Sequence, residues 1–145
     1  MKILVDADAC PNKIKEILFR AAIRTETKLI LISNHAILTP ASPFISKIQV
    51  IAGLDVADNR IVQSLEPDDL VITADIPLAD AVIDKNGMAL NPRGEFYSKE
   101  NIKERLSLRN FSADLRSSGV TTGGPRALSK NEIQRFANAL HSILS

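Results

Sequence analysis

Short apolar runs alternate with helical patterns along the first two thirds of the chain, and this alternation constrains the fold more than any other feature. The first run, Lys2 to Val5, is rich in aliphatic residues and too short for a helix. After Pro11, apolar residues recur with the spacing of one buried helix face, at Ile14, Ile17, Leu18 and Ala21. Strands that alternate with helices of this length predict βαβ units and a parallel sheet.

Further strands are predicted at 28–32, near 48–51, at 70–73 and at 88–90, with helices at 56–65 and 77–85. Beyond the turn at 91–94 the pattern becomes helical, with Ser98 a candidate cap for a helix reaching about Leu108. Residues 129–132 have the spacing of a capping box. We therefore expect one α/β domain over 1–145, with a core at about 1–92 and extra C-terminal helices. The expected architecture has three layers and a central parallel sheet of about five strands.

Cysteine usage and hydropathy predict a cytoplasmic protein that does not enter a membrane. A single cysteine, Cys10, cannot form an internal disulfide, and it is expected to be a small buried residue. The N-terminus reaches Asp6 before an apolar signal region can develop. The longest apolar run, Leu29 to Ile32, is far shorter than the ~20 residues that a membrane helix needs.

The charge is distributed unevenly between the two parts of the chain. Residues 1–92 carry nine Lys or Arg and twelve Asp or Glu, whereas residues 93–145 carry nine and five. The net charges are therefore −3 and +4, which sum to the overall +1. Such asymmetry indicates either a polyanionic partner or simply solvated helix faces.

Six of the twelve acidic residues in 1–92 follow predicted strand ends and are expected to meet at one edge of the sheet: Asp6, Asp8, Asp55, Asp58, Asp75 and Asp80. Ligand sites in open α/β sheets lie at this carboxyl edge. Like charges repel, so the carboxylates must either cap helices separately or share a cation. Capping is the preferred interpretation of Asp55, and Asp80 fits either role.

Three of the acids are hard to explain as caps. Strand alternation would turn Asp6 and Asp8 the same way at the end of a buried strand. Asp58 shares the apolar face of its predicted helix, which carries Ile61, Val62 and Leu65. With Asp75, they form the predicted catalytic and metal-binding set. Oxygen ligands without a His or Cys set favour Mg²⁺ or Mn²⁺, which support phosphodiester hydrolysis.

A glycine-bearing loop at 121–126 is predicted either to bind the substrate or to be only a flexible loop before a helix. Glycines can bring successive backbone N–H groups together around an anion, and arginine can bind phosphate through two hydrogen bonds. The candidate substrate-binding residues are Arg93, Arg109, Arg116, Thr122, Gly123, Gly124 and Arg126. His35 is expected only to be a loop residue.

Four motifs resemble the YaiI/YqxD family of bacterial proteins through nearly the whole chain: Val5-Asp6-Ala7-Asp8-Ala9-Cys10-Pro11, Val71-Ile72-Thr73-Ala74-Asp75-Ile76-Pro77-Leu78-Ala79, Asn91-Pro92-Arg93-Gly94 and Thr122-Gly123-Gly124-Pro125. That family resembles, more distantly, the PIN-like and NYN nucleases. This second likeness covers roughly residues 1–90 and implies the strand order 3-2-1-4-5 with an acidic metal site at the strand tips.

The likeness to PIN-like nucleases extends to individual residues. Asp6 matches the aspartate that ends their first strand, and Thr73 and Asp75 match their Thr-x-Asp after the fourth strand. Asp58 corresponds to the acidic residue on an intervening helix. The resemblance thus adds Thr73 to the candidate substrate-binding residues. The basic C-terminal part departs from the minimal PIN pattern.

Three functional hypotheses follow. The first is a Mg²⁺- or Mn²⁺-dependent nuclease acting on single-stranded RNA. The second is a haloacid-dehalogenase-like phosphatase, with Asp6 and Asp8 as nucleophile and acid–base and Asp75 and Asp80 holding magnesium. The third is a non-catalytic RNA- or nucleotide-binding protein.

Overall fold

The computed structural model describes residues 1–53, 55–104 and 127–144. In chain order, β1 (Lys2–Asp6) leads through a 3-10 turn (Ala7–Ala9) into α1 (Asn12–Thr25), and β2 (Lys28–Ser33) and β3 (Ile45–Gln49) follow. The chain continues through α2 (Val56–Ser64), β4 (Leu70–Ile72), α3 (Ile76–Asp84), β5 (Met88–Leu90) and β6 (Phe96–Tyr97). Residues 99–104 are helical and are labelled α4, and α5 spans Lys130–Leu144.

One mixed sheet organises these elements, in the order β3-β2-β1-β4-β5-β6. The first five strands are parallel and β6 is antiparallel to β5. The order 3-2-1-4-5 implied by the sequence resemblance is confirmed. β1 and β4 lie side by side at the centre, with Val5 opposite Ile72. The connections leave this pair in opposite directions, so a crevice is expected beyond its carboxyl end.

Two apolar cores cover the two faces of the sheet. On one face, α1 and α5 pack over Ile3, Val5 and Leu31, with Phe136 of α5 fully buried. On the other face, α2 and α3 pack over Leu4 and related residues, because alternate strand residues point to opposite sides. This is the predicted three-layer arrangement. Among the described helices, none is long and apolar enough to cross a membrane.

Two strands differ from the sequence prediction. β3 begins at Ile45 instead of near residue 48, because Ile45 pairs with Leu29 and is buried, whereas Ile51 is 84% exposed. The short β6 was not predicted. Its two residues pair with Ala89 and Leu90, and Tyr97 covers the core next to α3. A strand of two residues has no hydrophobic period from which a sequence could reveal it.

The predicted helix starts in the C-terminal part are confirmed by reciprocal caps. The Ser129 amide donates to Glu132 Oε1 at 3.0 Å, and the Glu132 amide donates to Ser129 Oγ at 3.1 Å. Ser98 and Asn101 exchange the equivalent pair at the start of α4. Gly94 adopts φ +90°, and an added Cβ would lie 2.6 Å from the Phe136 amide nitrogen. The 91–94 turn therefore packs directly on α5.

Candidate active site

Asp6 occupies the centre of the carboxyl edge, where β1 meets β4. It is only 9% exposed, and its Oδ2 accepts a hydrogen bond from the Thr73 hydroxyl at 3.2 Å. Burial raises the pKa of Asp6, and the nearby charges of Asp75 and Asp8 raise it further, although the Thr73 hydrogen bond opposes the shift. Asp6 is therefore a buried carboxylate held in an unfavourable electrostatic environment.

Thr73 connects Asp6 to the start of α3. Its hydroxyl donates to Asp6 and accepts from the Asp75 amide at 3.0 Å, and the residue is 1% exposed. Asp75 caps α3, since its Oδ1 accepts from the Leu78 amide at 3.1 Å. One Asp75 oxygen thus has a structural role, which is compatible with a functional role for the other. A direct substrate contact by Thr73 stays a prediction.

Asp58 approaches the same place from the first turn of α2. It is half-buried, and burial raises its pKa to about 6, with further contributions from the charges of Asp75, Asp6 and Asp55. Asp55 stands at the N-cap of α2 with φ 61° but its side chain makes no capping hydrogen bond. The predicted N-cap position of Asp55 is therefore confirmed without a capping hydrogen bond, and the charge of Asp55 contributes to the raised pKa of Asp58.

We define the acidic cluster as Asp6, Asp58 and Asp75. Within the described ranges, no lysine or arginine forms an ion pair with any of its three carboxylates. In the same part of the chain, no three His, Cys, Asp or Glu side chains converge as a ready set of metal ligands. The cluster therefore combines the hard oxygen donors that suit Mg²⁺ or Mn²⁺ with side-chain positions not drawn to one point.

The Asp8 side chain is engaged by residues that follow β2, whereas strand alternation predicted that it would be directed like Asp6. The chain leaves the extended conformation after Asp6, and Ala7–Ala9 form a 3-10 turn, so the period of two no longer applies. Asp8 accepts from the Asn34 amide at 2.7 Å and contacts His35 Nδ1 at 3.1 Å. It still lies near enough to raise the pKa of Asp6 through its charge. The sequence placed His35 in a loop but gave no sign of this contact.

Arg93, a predicted substrate-binding residue, pairs with Glu132 of α5. Its Nη1 lies 2.8 Å from Glu132 Oε2, and that carboxylate is 7% exposed. Asn91 shapes the same turn, since its Oδ1 accepts from the Arg93 and Glu95 amides. Arg93 therefore joins the turn to α5. The other predicted substrate-binding residues lie outside the described residues: Arg109, Arg116, Thr122, Gly123, Gly124 and Arg126.

Two other residues considered from the sequence are Cys10 and Asp80. Cys10 is 7% exposed, and burial raises the pKa of its thiol to about 12, so the thiolate is scarce at neutral pH. This agrees with the predicted role as a buried apolar residue. Asp80 lies in the middle of α3 and is partly exposed.

A cavity of about 910 Å³ adjoins the carboxyl edge on the face covered by α1 and α5. Its lining includes Ala9 and Ala74, which are chain neighbours of Asp8 and of Asp75. The carboxylates of Asp6, Asp58 and Asp75 do not line it. Strand alternation turns Asp6 toward the same face as Leu4, which α2 and α3 cover. Sequence periodicity could not indicate this cavity, since it forms where loops, α1 and α5 meet.

Comparisons with known proteins agree with the fold and with the motifs. Residues 4–145 match the family described as "Uncharacterized BCR, YaiI/YqxD family". A UPF0178 protein of Colwellia psychrerythraea is 60% identical over 145 residues, which cover all of this chain and 96% of the relative. A UPF0178 protein of Hahella chejuensis is 61% identical over 145 residues, covering all of this chain and 97% of the relative. No solved structure gives a significant match.

The match extends through β1, β4, the 91–94 turn and α5, so it includes every described residue of the acidic cluster. The family description and the names of these relatives state no activity or substrate. The family resemblance predicted from the sequence motifs is confirmed, and this chain belongs to the YaiI/YqxD family.

Proposed function

We propose that the protein is a metal-dependent phosphodiesterase that cleaves RNA, with Asp6, Asp58 and Asp75 as the residues that hold Mg²⁺ or Mn²⁺. The observation that carries the proposal is the grouping of three carboxylates beyond the ends of β1 and β4, near enough for the charges of Asp75 and Asp6 to raise the pKa of Asp58. Burial and mutual repulsion raise the pKa of Asp6 and of Asp58. Such a cluster is costly for the fold unless a cation offsets its charge.

Each residue around the cluster would have its own role in holding the metal. Asp6 is fixed by Thr73, whose hydroxyl is itself held by the Asp75 amide, so β1 and the start of α3 are positioned together. Asp75 keeps one oxygen for its cap and offers the other. When bound, a divalent cation would supply charge neutralisation, a contact for phosphate oxygen and a lowered pKa of water. Its binding would require the three carboxylates to move toward a common point.

Asp8, also predicted as a metal ligand, has a different part in this proposal. Its two oxygens are engaged by Asn34 and His35, so we place it beside the site, where its negative charge strengthens attraction for a cation. This orientation weighs against the phosphatase hypothesis, which needs Asp6 and Asp8 to address one substrate phosphate. An RNA substrate also fits the cytoplasmic location that the sequence predicts.

Cleavage of labelled single-stranded RNA tests the proposal. We expect slow cleavage with Mn²⁺ or Mg²⁺, none with EDTA, and a loss of more than ~100-fold in rate for Asp6→Asn, because a primary ligand is removed while the shape is kept. Asp84→Asn is the matched control, since it removes one carboxylate from the exposed end of α3 and should retain the wild-type rate.

Two outcomes would overturn the proposal. Cleavage that persists in Asp6→Asn would identify a contaminating ribonuclease. Absence of cleavage for every RNA and DNA tested, with metal shown to be bound, would favour the non-catalytic nucleic-acid-binding alternative.

A further inference from the structure

Three neighbouring cavities share lining residues along the seam between α1 and α5. The cavity of about 910 Å³ at the carboxyl edge is followed by one of about 280 Å³ and then by one of about 450 Å³. Lys13, Lys130 and Ile133 line both the first and the second. Ile17 and Arg20 line both the second and the third. We call this row of cavities the α1–α5 trough.

Four exposed basic side chains line the trough: Lys13, Arg20 and Arg24 of α1, and Lys130 of α5. None of the four has an ion pair with a residue in the described ranges. The carboxylate of Glu16 also lines the middle cavity, and His141 lines the far one. The basic side chains therefore outnumber the acidic one, and the trough carries positive charge.

The spacing of the α1 cations gives the trough a direction. Lys13, Arg20 and Arg24 recur at i, i+7 and i+11, which places them along one side of the helix. At 1.5 Å per residue they span ~17 Å along α1. Lys13 lies at the end beside the cavity that reaches Ala9 and Ala74, and Arg24 lies at the far end. The positive charge thus leads from the seam toward the carboxyl edge.

We propose that the α1–α5 trough binds the backbone of a single-stranded nucleic acid, with Lys13, Arg20, Arg24 and Lys130 contacting its phosphates. The inference rests on the proposed function, because the strand that it binds would be the substrate of the acidic cluster. It assigns binding to four cations on the face opposite the carboxylates, none of which belongs to the substrate-binding set predicted from the sequence.

Shape and chemistry both favour a single strand bound through its backbone. The three cations of α1 form one line along the helix, which matches the single line of phosphates of one strand. Tyr97 is the aromatic residue in the lining of the large cavity, and it is 8% exposed, which leaves little ring surface for base stacking. Binding should therefore be strongly salt-dependent and weakly sequence-dependent.

Fluorescence anisotropy with labelled oligouridylate and oligothymidylate tests the trough in EDTA, where binding is separated from cleavage. The test variant Lys13→Gln, Arg20→Gln, Lys130→Gln removes the three cations of the middle cavity. The control variant Lys28→Gln, Lys99→Gln, Lys103→Gln removes three exposed cations from other surfaces. Melting curves confirm that both variants are folded.

We expect the test variant to bind both strands more than ~10-fold more weakly at low salt. The slope of log K against the logarithm of the salt concentration should also be smaller by about 2, because each of the three lost phosphate contacts contributes ~0.7. The control variant should bind like the wild type. Equal weakening in the test and control variants would overturn the inference, as would no nucleic-acid binding at all. Preferential binding of duplex or of phosphatidylserine vesicles would also overturn it. Wild-type binding without cleavage would instead refute only the proposed function.

Discussion

Carboxylates at the two ends of the central β1–β4 pair lie in opposite electrostatic environments. At the amino end, Asp69 is buried beside Lys2, whose Nζ lies 2.6 Å from Asp69 Oδ2. The same carboxylate accepts from the Lys2 and Glu66 amides at 3.1 and 2.8 Å. Burial alone would raise the pKa of Asp69, but the hydrogen bonds and charge of Lys2 lower it overall. This carboxylate is fully compensated by the protein.

At the carboxyl end, Asp6 and Asp58 have no cationic partner within the described ranges, and their pKa values rise instead of falling. Thr73 is the one side chain seen to donate to Asp6. The fold pairs the Asp69 carboxylate with Lys2 at one end of the sheet. At the other end it places several carboxylates near one another, with no ion pair to a lysine or arginine in the described ranges. We infer that the amino-end pair supports stability, whereas the acidic cluster supports binding of a cation.

Removing the compensated carboxylate should have the largest effect on stability. Asp69→Ala leaves the partly buried Lys2 paired with the exposed Glu66 alone among the described residues, so we expect a loss of about 3 kcal/mol in the free energy of unfolding. Because the folded pKa of Asp69 is lowered from 3.8, its contribution is present above that pH and is lost as the pH falls through the folded value. Urea unfolding at pH 7 and at pH 3 measures both effects. A wild-type stability in Asp69→Ala at pH 7 would show that the amino-end pair is not structural.

Thr73→Val should have an intermediate effect, because it keeps the side-chain shape but removes the hydroxyl between Asp6 and the Asp75 amide. Hydrogen bonds to charged groups contribute about 2 kcal/mol, so we expect a loss of that size. The pKa of Asp6 should rise further, since the hydrogen bond that lowers it is gone. NMR titration of the Asp6 carboxyl carbon measures the shift, and an unchanged pKa would separate Thr73 from the site.

Asp58→Asn should have the smallest effect, with the opposite sign. The folded pKa of Asp58 is raised from 3.8 to about 6, so its stabilising contribution is present below about pH 4 and is lost as the pH rises through 6. In EDTA at pH 7 the variant should therefore be more stable than the wild type by about 1 kcal/mol, a value reduced by solvent screening of a half-exposed group. The gain should vanish near pH 4. A loss of stability at pH 7 would mean that the cluster is structural.

The sequence predicted the sheet better than it predicted individual side-chain directions. β1, β2, β4 and β5 could be recognised because their apolar runs are buried on both faces. Parallel strands ending at one edge predicted that Asp6 and Asp75 lie near each other, and the apolar face of the predicted helix at 56–65 added Asp58. The direction of Asp8 did not, because one 3-10 turn cancels the strand alternation on which that prediction rested.

The basic residues that line the trough show a second limit of prediction from the sequence. Lys13, Arg20 and Arg24 have the pattern of any solvated helix face, and only the packing of α5 beside α1 turns that face into a groove. Long-range packing is not encoded in the local period of a helix. The same holds for Arg93, whose partner Glu132 lies 39 residues away in the chain.

Calorimetric titration with Mn²⁺ tests the central contrast between the two ends most directly. Wild type, Asp6→Asn and Asp69→Asn are compared at pH 7 after removal of bound metal. The account predicts that wild type and Asp69→Asn bind Mn²⁺ alike, and that Asp6→Asn binds more than ~10-fold more weakly. At 100 times its Kd, Mn²⁺ should also stabilise the wild type by about 2.7 kcal/mol. Absence of Mn²⁺ binding to the wild type, or unchanged affinity in Asp6→Asn, would contradict a cation site at the carboxyl edge.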